Sequence, residues 1–158
     1  MRILGICGSL KDTSANAALL QAFVAAAPES ITVWDHLGEL PHFVPDNEGG
    51  SCVASLRNAV AHADAIVIAT PEYAGGMPGS LKNALDWLVG TGELYGKSVA
   101  VVSAAPSPER GTNARQWVEQ VVGMQGASVV ASFSVTARDD PTDVLQQVLA
   151  ALGADPPR

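Results

Sequence analysis

Two short, uniformly apolar runs constrain the fold of this chain more than any other feature. They are AIVIA at residues 65–69 and VAVV within residues 97–103. Runs of this length and composition are typical of strands that are buried on both faces. Such strands occur in parallel sheets covered by helices, and the segments between them have the apolar spacing of helices. The chain is therefore predicted to be an α/β protein.

The order of the elements predicts how the sheet is built. Strands are expected at residues 2–7, 31–35, 65–69, 97–103 and 127–135, and helices at 14–27, 52–63, 78–88, 111–125 and 141–152. The second and fifth strands alternate in polarity, which suits the edges of a sheet, whereas the third and fourth are apolar throughout. With right-handed crossovers these constraints give the order 2-1-3-4-5. We thus predict a flavodoxin-like, doubly wound, five-stranded parallel sheet with helices on both faces.

Length, charge and cysteine content narrow the class of protein. The 158 residues fit one domain, expected to span residues 1–152, with residues 153–158 fraying as a tail. A net charge of −7 argues against nucleic-acid partners. We find neither a bilayer-length apolar run nor a signal peptide. Cys7 and Cys52 form no C-x-x-C pair, which favours reduced thiols, so a cytoplasmic location without a membrane partner is expected.

The loop after the third predicted strand lies at the edge of the sheet where ligands bind in such folds. Its residues are Pro71, Glu72, Tyr73, Ala74, Gly75 and Gly76. The two glycines lack a Cβ atom, so a flat ligand could lie directly against the backbone there. Pro78 suits the first position of the following helix, because it has no backbone donor to lose. On this loop alone, a tight turn without a ligand remains the alternative interpretation.

The loop after the first strand is predicted to lie beside it, at the switch point of the sheet. Residues 8–16 are rich in hydroxyl groups and open a helix, whose free N–H groups and dipole attract an anion such as phosphate. The candidate donors are Ser9, Lys11, Thr13, Ser14, Ala15 and Asn16. The alternative is an ordinary strand-to-helix turn in which Ser14 only caps its helix.

Counting excludes three familiar phosphate loops. The Walker pattern fails because Thr13 and Ser14 stand where its glycine and lysine would be. The dinucleotide fingerprint fails because Leu10 and Thr13 occupy its second and third glycine positions. A C-x5-R phosphatase loop starting at Cys7 also fails, because Thr13 stands where its arginine would be. The three histidines have no metal-ligand spacing, so no metal site is expected.

The chain resembles the NADPH-dependent FMN reductase family, which includes flavodoxin-like quinone, chromate and azo reductases. The resemblance rests on GSLKDTSANAALL at residues 8–20, LPHFVPDNE at 40–48 and PEYAGGMPGSLKNALDWL at 71–88. It implies a homodimer or homotetramer that holds FMN without a covalent link. It also implies that Ser9, Lys11, Ser14 and Asn16 bind the FMN phosphate, that residues 71–76 line the isoalloxazine ring, and that Ser103 sits on the flavin side of the fourth strand.

The chain departs from the family pattern at three places. Lys11 replaces a common arginine and loses its bidentate fork, and Ala74 replaces a common asparagine. The stretch from Ser103 to Gly111 contains two prolines where the family usually has a glycine cluster. These differences bear on how the far edge of the ring and the acceptor are held.

The implied activity is electron transfer from NADPH or NADH through FMN to a quinone-like or other small acceptor. Both substrates would use one site in turn, in a ping-pong mechanism, and no catalytic side chain is required because FMN carries the chemistry. Glu72 is expected to fix its loop through hydrogen bonds, and residues 41–45 with Trp87 are expected to contact a second subunit. A non-enzymatic FMN electron carrier or redox-sensing module, and a relative without flavin, remain alternatives.

Overall fold

The computed structural model describes residues 1–153, so the predicted fraying of residues 154–158 lies outside the described chain. The strands are β1 (Ile3–Cys7), β2 (Ile31–Trp34), β3 (Ala65–Ala69), β4 (Ser98–Ala104) and β5 (Ser128–Val135). The helices are α1 (Ala15–Ala26), α2 (Gly50–His62), α3 (Gly79–Asp86), α4 (Thr112–Met124) and α5 (Pro141–Leu152), with a short 3-10 helix at Leu37–Glu39.

The five strands form one parallel sheet in the order β2-β1-β3-β4-β5, which confirms the predicted topology. β3 is buried along its whole length, because helices cover both faces of the sheet at its centre. β5 alternates between exposed and partly buried residues, as expected for a strand at the edge of the sheet.

Each face of the sheet has its own apolar core. On one face α2, α3 and α4 pack on the sheet through residues such as Leu56, Leu85 and Val118. On the other face α1 and α5 do the same through Phe23 and Leu145. Since burial of one such side chain contributes about 1.5–3 kcal/mol, the two cores supply most of the favourable free energy of folding.

The helix ends follow the local sequence closely. The Ser14 hydroxyl accepts a hydrogen bond from the Ala17 amide at 3.3 Å and fixes the start of α1. Asp140 caps α5 in the same way, and Gly153 ends that helix in a left-handed conformation (φ 74°). Pro78, predicted as the first helical residue, is instead the N-cap, so α3 begins one residue later.

The winding of the chain reverses between β1 and β3, which are direct neighbours in the sheet. The loops that leave these two strands therefore meet at its carboxyl edge, where doubly wound sheets bind their ligands. Within residues 1–153, no helix has both the length and the apolar character that a membrane crossing requires.

Candidate functional site

The loops after β1 and β3 come together at the switch point, as the sequence predicts. The Gly8 amide donates to the Ala69 carbonyl at 2.8 Å, which joins the two loops at their bases. Further out, the Ser9 hydroxyl oxygen lies 3.5 Å from the hydroxyl of Tyr73. Two segments whose contacting residues are 64 positions apart in the sequence thus meet at this edge of the sheet.

The start of α1 presents unpaired backbone donors beside this contact. The amides of Ala17 and Ala18 bond to Ser14, whereas no described residue accepts from the amides of Ala15 and Asn16. Lys11 is exposed in the same loop, and its backbone amide donates to the Ser9 hydroxyl at 3.2 Å. Free N–H groups at the positive end of a helix, with a nearby cation, can hold an anion.

Asn16 is buried and has a structural role that the sequence does not reveal. Its Oδ1 accepts a hydrogen bond from the Ala104 amide at 2.8 Å and so connects α1 to the end of β4. The carbonyl end of this side chain is committed to the protein, which leaves only its NH2 group to donate to a ligand.

The tip of the loop after β3 is a tight turn with a left-handed backbone. Tyr73 and Gly76 exchange backbone hydrogen bonds of 2.9 and 3.0 Å. Between them, Ala74 (φ 49°) and Gly75 (φ 77°) both lie in the left-handed region, as the central residues of a type I′ turn do. Glycine and asparagine tolerate this conformation best, so Ala74 is strained at this position.

Glu72 joins the turn to α4. One of its carboxylate oxygens accepts hydrogen bonds from the amides of Asn113 (3.0 Å) and Ala114 (3.3 Å) in the first turn of that helix. The N-cap residue of α4, Gly111, has no side chain for this purpose, so Glu72 supplies the missing acceptor. The prediction that Glu72 fixes its loop through hydrogen bonds is confirmed.

The two glycines of the turn differ, which corrects the expectation that both leave the backbone uncovered. At Gly75 the nearest atom that a Cβ would meet is Nδ2 of Asn113, at 3.9 Å, so this position is open. At Gly76 a Cβ would overlap two carbons of the Trp117 ring. Glycine is required at position 76 by packing against a helix, and only Gly75 offers bare backbone to a ligand.

The Ser103 hydroxyl points into the protein rather than toward an open face. Ser103 is buried at the end of β4, and its hydroxyl donates to the Thr70 carbonyl at 2.5 Å. Gly111 (φ 83°) packs directly against it, because a Cβ at this position would overlap the Ser103 side chain. Ser103 therefore joins the ends of β3 and β4 and forms part of the floor of the site.

Two side chains of α4 shape this region without a sequence pattern that marks them. Trp117 is 45% exposed and supports the turn at Gly76. In the sequence, its position indicates only that it belongs to the apolar face of a helix. Arg115 is buried under the loop that follows β4. No sequence signal marks it, because arginines on helices are usually exposed.

The expectation that Trp87 faces a second subunit is wrong. Trp87 is 1% exposed, and its indole N–H donates to the Pro41 carbonyl at 2.8 Å. The ring of Phe43 packs edge-on against it, with the centroids 5.1 Å apart. Trp87 thus supports the segment 41–45 from within the same chain, and all five residues of that segment, Phe43 and Val44 among them, remain exposed.

Other reactive groups are sparse in the part of the chain that the structure describes. No three His, Cys, Asp or Glu residues there are placed to hold a metal ion. Cys7 and Cys52 are both free thiols, and burial raises the pKa of Cys52 above its ordinary value. The site is therefore made of backbone donors at the start of α1 and a turn that is open at Gly75.

Comparisons with known proteins give one family model and several relatives that match most of the chain. The family model described as NADPH-dependent FMN reductase matches residues 1–141. An NADH-dependent flavin reductase subunit 2 from Lactobacillus johnsonii is 32% identical over 130 residues, which cover 81% of this chain and 64% of that protein. An NAD(P)H-dependent FMN reductase from Pseudomonas aeruginosa is 34% identical over 66% of this chain and 60% of its own length. The matches thus span less than two thirds of either relative.

A quinone reductase from Escherichia coli is 29% identical over 138 residues, which cover 82% of this chain and 73% of the relative. Among solved structures, FerB, a flavoenzyme NAD(P)H:(acceptor) oxidoreductase from Paracoccus denitrificans, superposes with a TM-score of 0.76 at 23% identity. This match covers 96% of the present chain and 94% of FerB. At that identity, the superposition shows a shared fold.

Proposed function

The chain belongs to the NADPH-dependent FMN reductase family, and we propose that it is an oxidoreductase that passes electrons from NADPH or NADH through bound FMN to a quinone-like or other small acceptor. One observation carries this proposal. At the switch point, the start of α1, which has two unpaired amides, lies beside a turn that no side chain covers at Gly75. The names of the bacterial relatives support both the donor and the class of acceptor.

We propose that the FMN phosphate lies at the start of α1. Its contacts would be the hydroxyls of Ser9 and Ser14, the side chains of Lys11 and Asn16, and the amides of Ala15 and Asn16. Each hydrogen bond to a charged group contributes about 1.5–3 kcal/mol, so this cradle would supply much of the affinity for FMN. The residues fit the group, because the amides of Ala15 and Asn16 have no acceptor among the described residues and are free to donate to a phosphate.

The flat ring of FMN would lie along the loop after β3. Pro71, Glu72, Tyr73, Ala74, Gly75 and Gly76 would line it, with Ser103 beneath the floor. When bound, FMN supplies the capacity to accept a hydride from the nicotinamide and to reduce an acceptor. The protein would orient the ring: Glu72 holds the turn against α4, and the open position at Gly75 leaves room for a second flat molecule.

Both substrates would use this one open face in turn. A nicotinamide must lie flat on the ring to transfer a hydride, so it occupies the space that an acceptor needs. Oxidised nicotinamide would then leave before the acceptor enters, which gives ping-pong kinetics. Initial rates at varied NADPH and quinone should give parallel double-reciprocal lines, and intersecting lines would contradict this order.

We further propose that residues 1–152 act as a single FMN-binding domain in the cytoplasm, assembled as a homodimer or homotetramer. The side chains of Phe43, Val44 and Tyr73 are exposed and offer apolar surface for a second copy. Sedimentation of a dilute sample tests this assembly, and a single species near 16.2 kDa would exclude it.

The decisive experiment measures flavin binding and reduction together. The protein loaded with FMN should lose its visible absorbance when excess NADPH or NADH is added without oxygen. An electron carrier would instead stay oxidised with NADPH yet accept electrons from a separate reductase. A spectrum that no nicotinamide changes would overturn the reductase proposal.

The phosphate cradle has its own test. Ser14→Ala and Lys11→Ala should each weaken FMN binding roughly tenfold, since each removes one contact to the phosphate. Ser14→Ala also removes the cap of α1 and should lower stability by about 1 kcal/mol. Riboflavin, which has no phosphate, provides the matched control ligand. Equal losses for FMN and riboflavin would show that the assignment is wrong.

A further inference from the structure

The guanidinium of Arg115 lies inside the protein at the first turn of α4. Arg115 is 7% exposed. Its Nη1 donates to the Ser134 hydroxyl at 2.5 Å and to the Arg110 carbonyl at 3.4 Å, and its Nη2 donates to the Thr112 hydroxyl at 3.3 Å. Among the described residues, nothing accepts from its buried Nε. All three acceptors are neutral, so the side chain is held in place without being neutralised.

No carboxylate compensates this charge directly. Across residues 1–153, no carboxylate oxygen lies within 4.0 Å of the Arg115 guanidinium. The carboxylates that act on it from further away are Glu119 and Glu72. Glu119 accepts from the Ser132 hydroxyl, and Glu72 accepts from the first amides of α4. Burial lowers the pKa of Arg115, but an arginine stays protonated in proteins.

The position of Arg115 on α4 makes the burial of its charge still less favourable. Arg115 lies at the amino end of α4, where the helix dipole is already positive and disfavours a cation. A buried charge with neither a counter-ion nor a favourable dipole is expensive to keep. The buried charge of Arg115 is accounted for if a negatively charged group comes close to it during the reaction.

The guanidinium lies directly behind the floor of the site. A Cβ on Gly111 would touch the Ser103 side chain and would lie 3.3 Å from Nη1 of Arg115. Ser103 in turn bonds to the carbonyl of Thr70, the residue between β3 and the proposed ring-binding loop. Gly111 therefore lies between Arg115 and Ser103 at the end of β4, and Ser103 connects this point to the end of β3.

We infer that Arg115 raises the reduction potential of a flavin bound at this site, an inference that rests on the proposed function. Uptake of a hydride from NADPH brings two electrons and one proton to the ring, and the nicotinamide leaves in its oxidised form. The ring thereby gains one negative charge. A buried positive charge in the wall of the pocket stabilises the reduced state relative to the oxidised one, as charges near a flavin ring do. Arg115 is thus a positioning residue for the loop after β4 and an electrostatic partner of the reduced ring.

Three variants test this inference through the potential of the FMN-loaded protein. Arg115→Met removes the charge but keeps much of the apolar stem, and Arg115→Lys keeps the charge without the fork. Arg110→Met is the matched control, since its side chain is exposed on the same loop and solvent screens its charge. Arg115→Met should lower the equilibrium constant for reduction about tenfold, which for a two-electron couple is about 30 mV. Arg115→Lys and Arg110→Met should change it less than threefold.

The outcomes separate this inference from the proposed function. If Arg115→Met binds FMN with an unchanged potential, or if Arg110→Met lowers the potential as much, the inference is overturned and the reductase proposal stands. A wild-type protein that binds no FMN would overturn both. Should Arg115→Met fail to fold, Arg115→Gln takes its place, because its amide can still donate to neutral acceptors but carries no charge. It should lower the equilibrium constant for reduction about tenfold, and an unchanged potential in this variant would overturn the inference.

Discussion

Replacing Gly76 by alanine would test whether an aromatic ring from α4 holds the turn that forms the site. A Cβ at this position would overlap two carbons of the Trp117 ring. Gly76 does not have a positive φ, so alanine adds no backbone strain there. The whole cost of the substitution should therefore come from displacing the ring.

The structure sets the size of this cost. Adding a methyl group to a packed contact usually destabilises a protein by about 1–3 kcal/mol. Trp117 is 45% exposed and can move toward solvent, which favours the lower half of that range. For a domain of this size, about 1–2 kcal/mol corresponds to a melting temperature lower by roughly 2–8 °C. Gly123→Ala, in the same helix with open space around it, should instead stabilise the protein by about 0.5–1 kcal/mol.

A double-mutant cycle isolates the contact. Denaturant unfolding is measured for Gly76→Ala, Trp117→Ala and the double variant. Without the indole ring the added methyl has room, so Gly76→Ala should cost less than about 0.5 kcal/mol in the Trp117→Ala background. Trp34 and Trp87 are buried, so a red shift in tryptophan emission on Gly76→Ala would report the displaced ring. The same cost in both backgrounds would refute the reasoning.

Three further predictions follow from single contacts. Ala74→Gly should stabilise the protein by about 1 kcal/mol, because it relieves a left-handed alanine; a lower melting temperature would contradict this. The amide and guanidinium of Arg2 hold the pKa of Asp64 at about 2, below its ordinary value of 3.8. The stability advantage of the wild type over Asp64→Asn should thus be full above pH 3.8 and disappear as the pH falls through about 2, and melting curves with a constant gap would refute it. Trp87→Phe removes one of the two donors to the Pro41 carbonyl and leaves that of Asn83, so it should cost about 1 kcal/mol and speed proteolysis of residues 41–48; unchanged cleavage would contradict this.

The sheet was predictable because its signals are local and redundant. The run Ala65–Ala69 is apolar at every position, and the structure buries every residue of it. Ser14 and Asp140 mark helix starts by their own side chains, and the structure shows both caps. With β2 and β5 assigned to the edges and β3 and β4 to the interior, the flavodoxin-like order 2-1-3-4-5 satisfies both assignments, and no long-range contact was needed to propose it.

The site was predictable only where its chemistry lies in a contiguous motif. The start of α1 and the turn after β3 each carry their own signal. Trp87 and Trp117 do not, because an aromatic residue on an amphipathic helix has the same spacing whether it faces a core or supports a loop. The partner of Trp87 is Pro41, 46 residues away. Arg115 was missed for the same reason, since its acceptors on β5 and in the loop before α4 are set by the tertiary fold.

The loop between β4 and α4 explains how a chain without the expected glycine cluster keeps a defined pocket. At its start, the Ala104 amide is held by Asn16, and at its end, the Arg110 carbonyl is held by Arg115 and by the Ser134 hydroxyl. Two prolines stiffen the span between these points and reduce the conformational freedom lost on folding. Hydrogen bonds from side chains thus fix this loop, whereas a glycine-rich loop would be free to approach a ligand. Gly76 is covered by Trp117 and Gly111 packs on Ser103, so of these three glycines Gly75 is the one whose backbone is left uncovered.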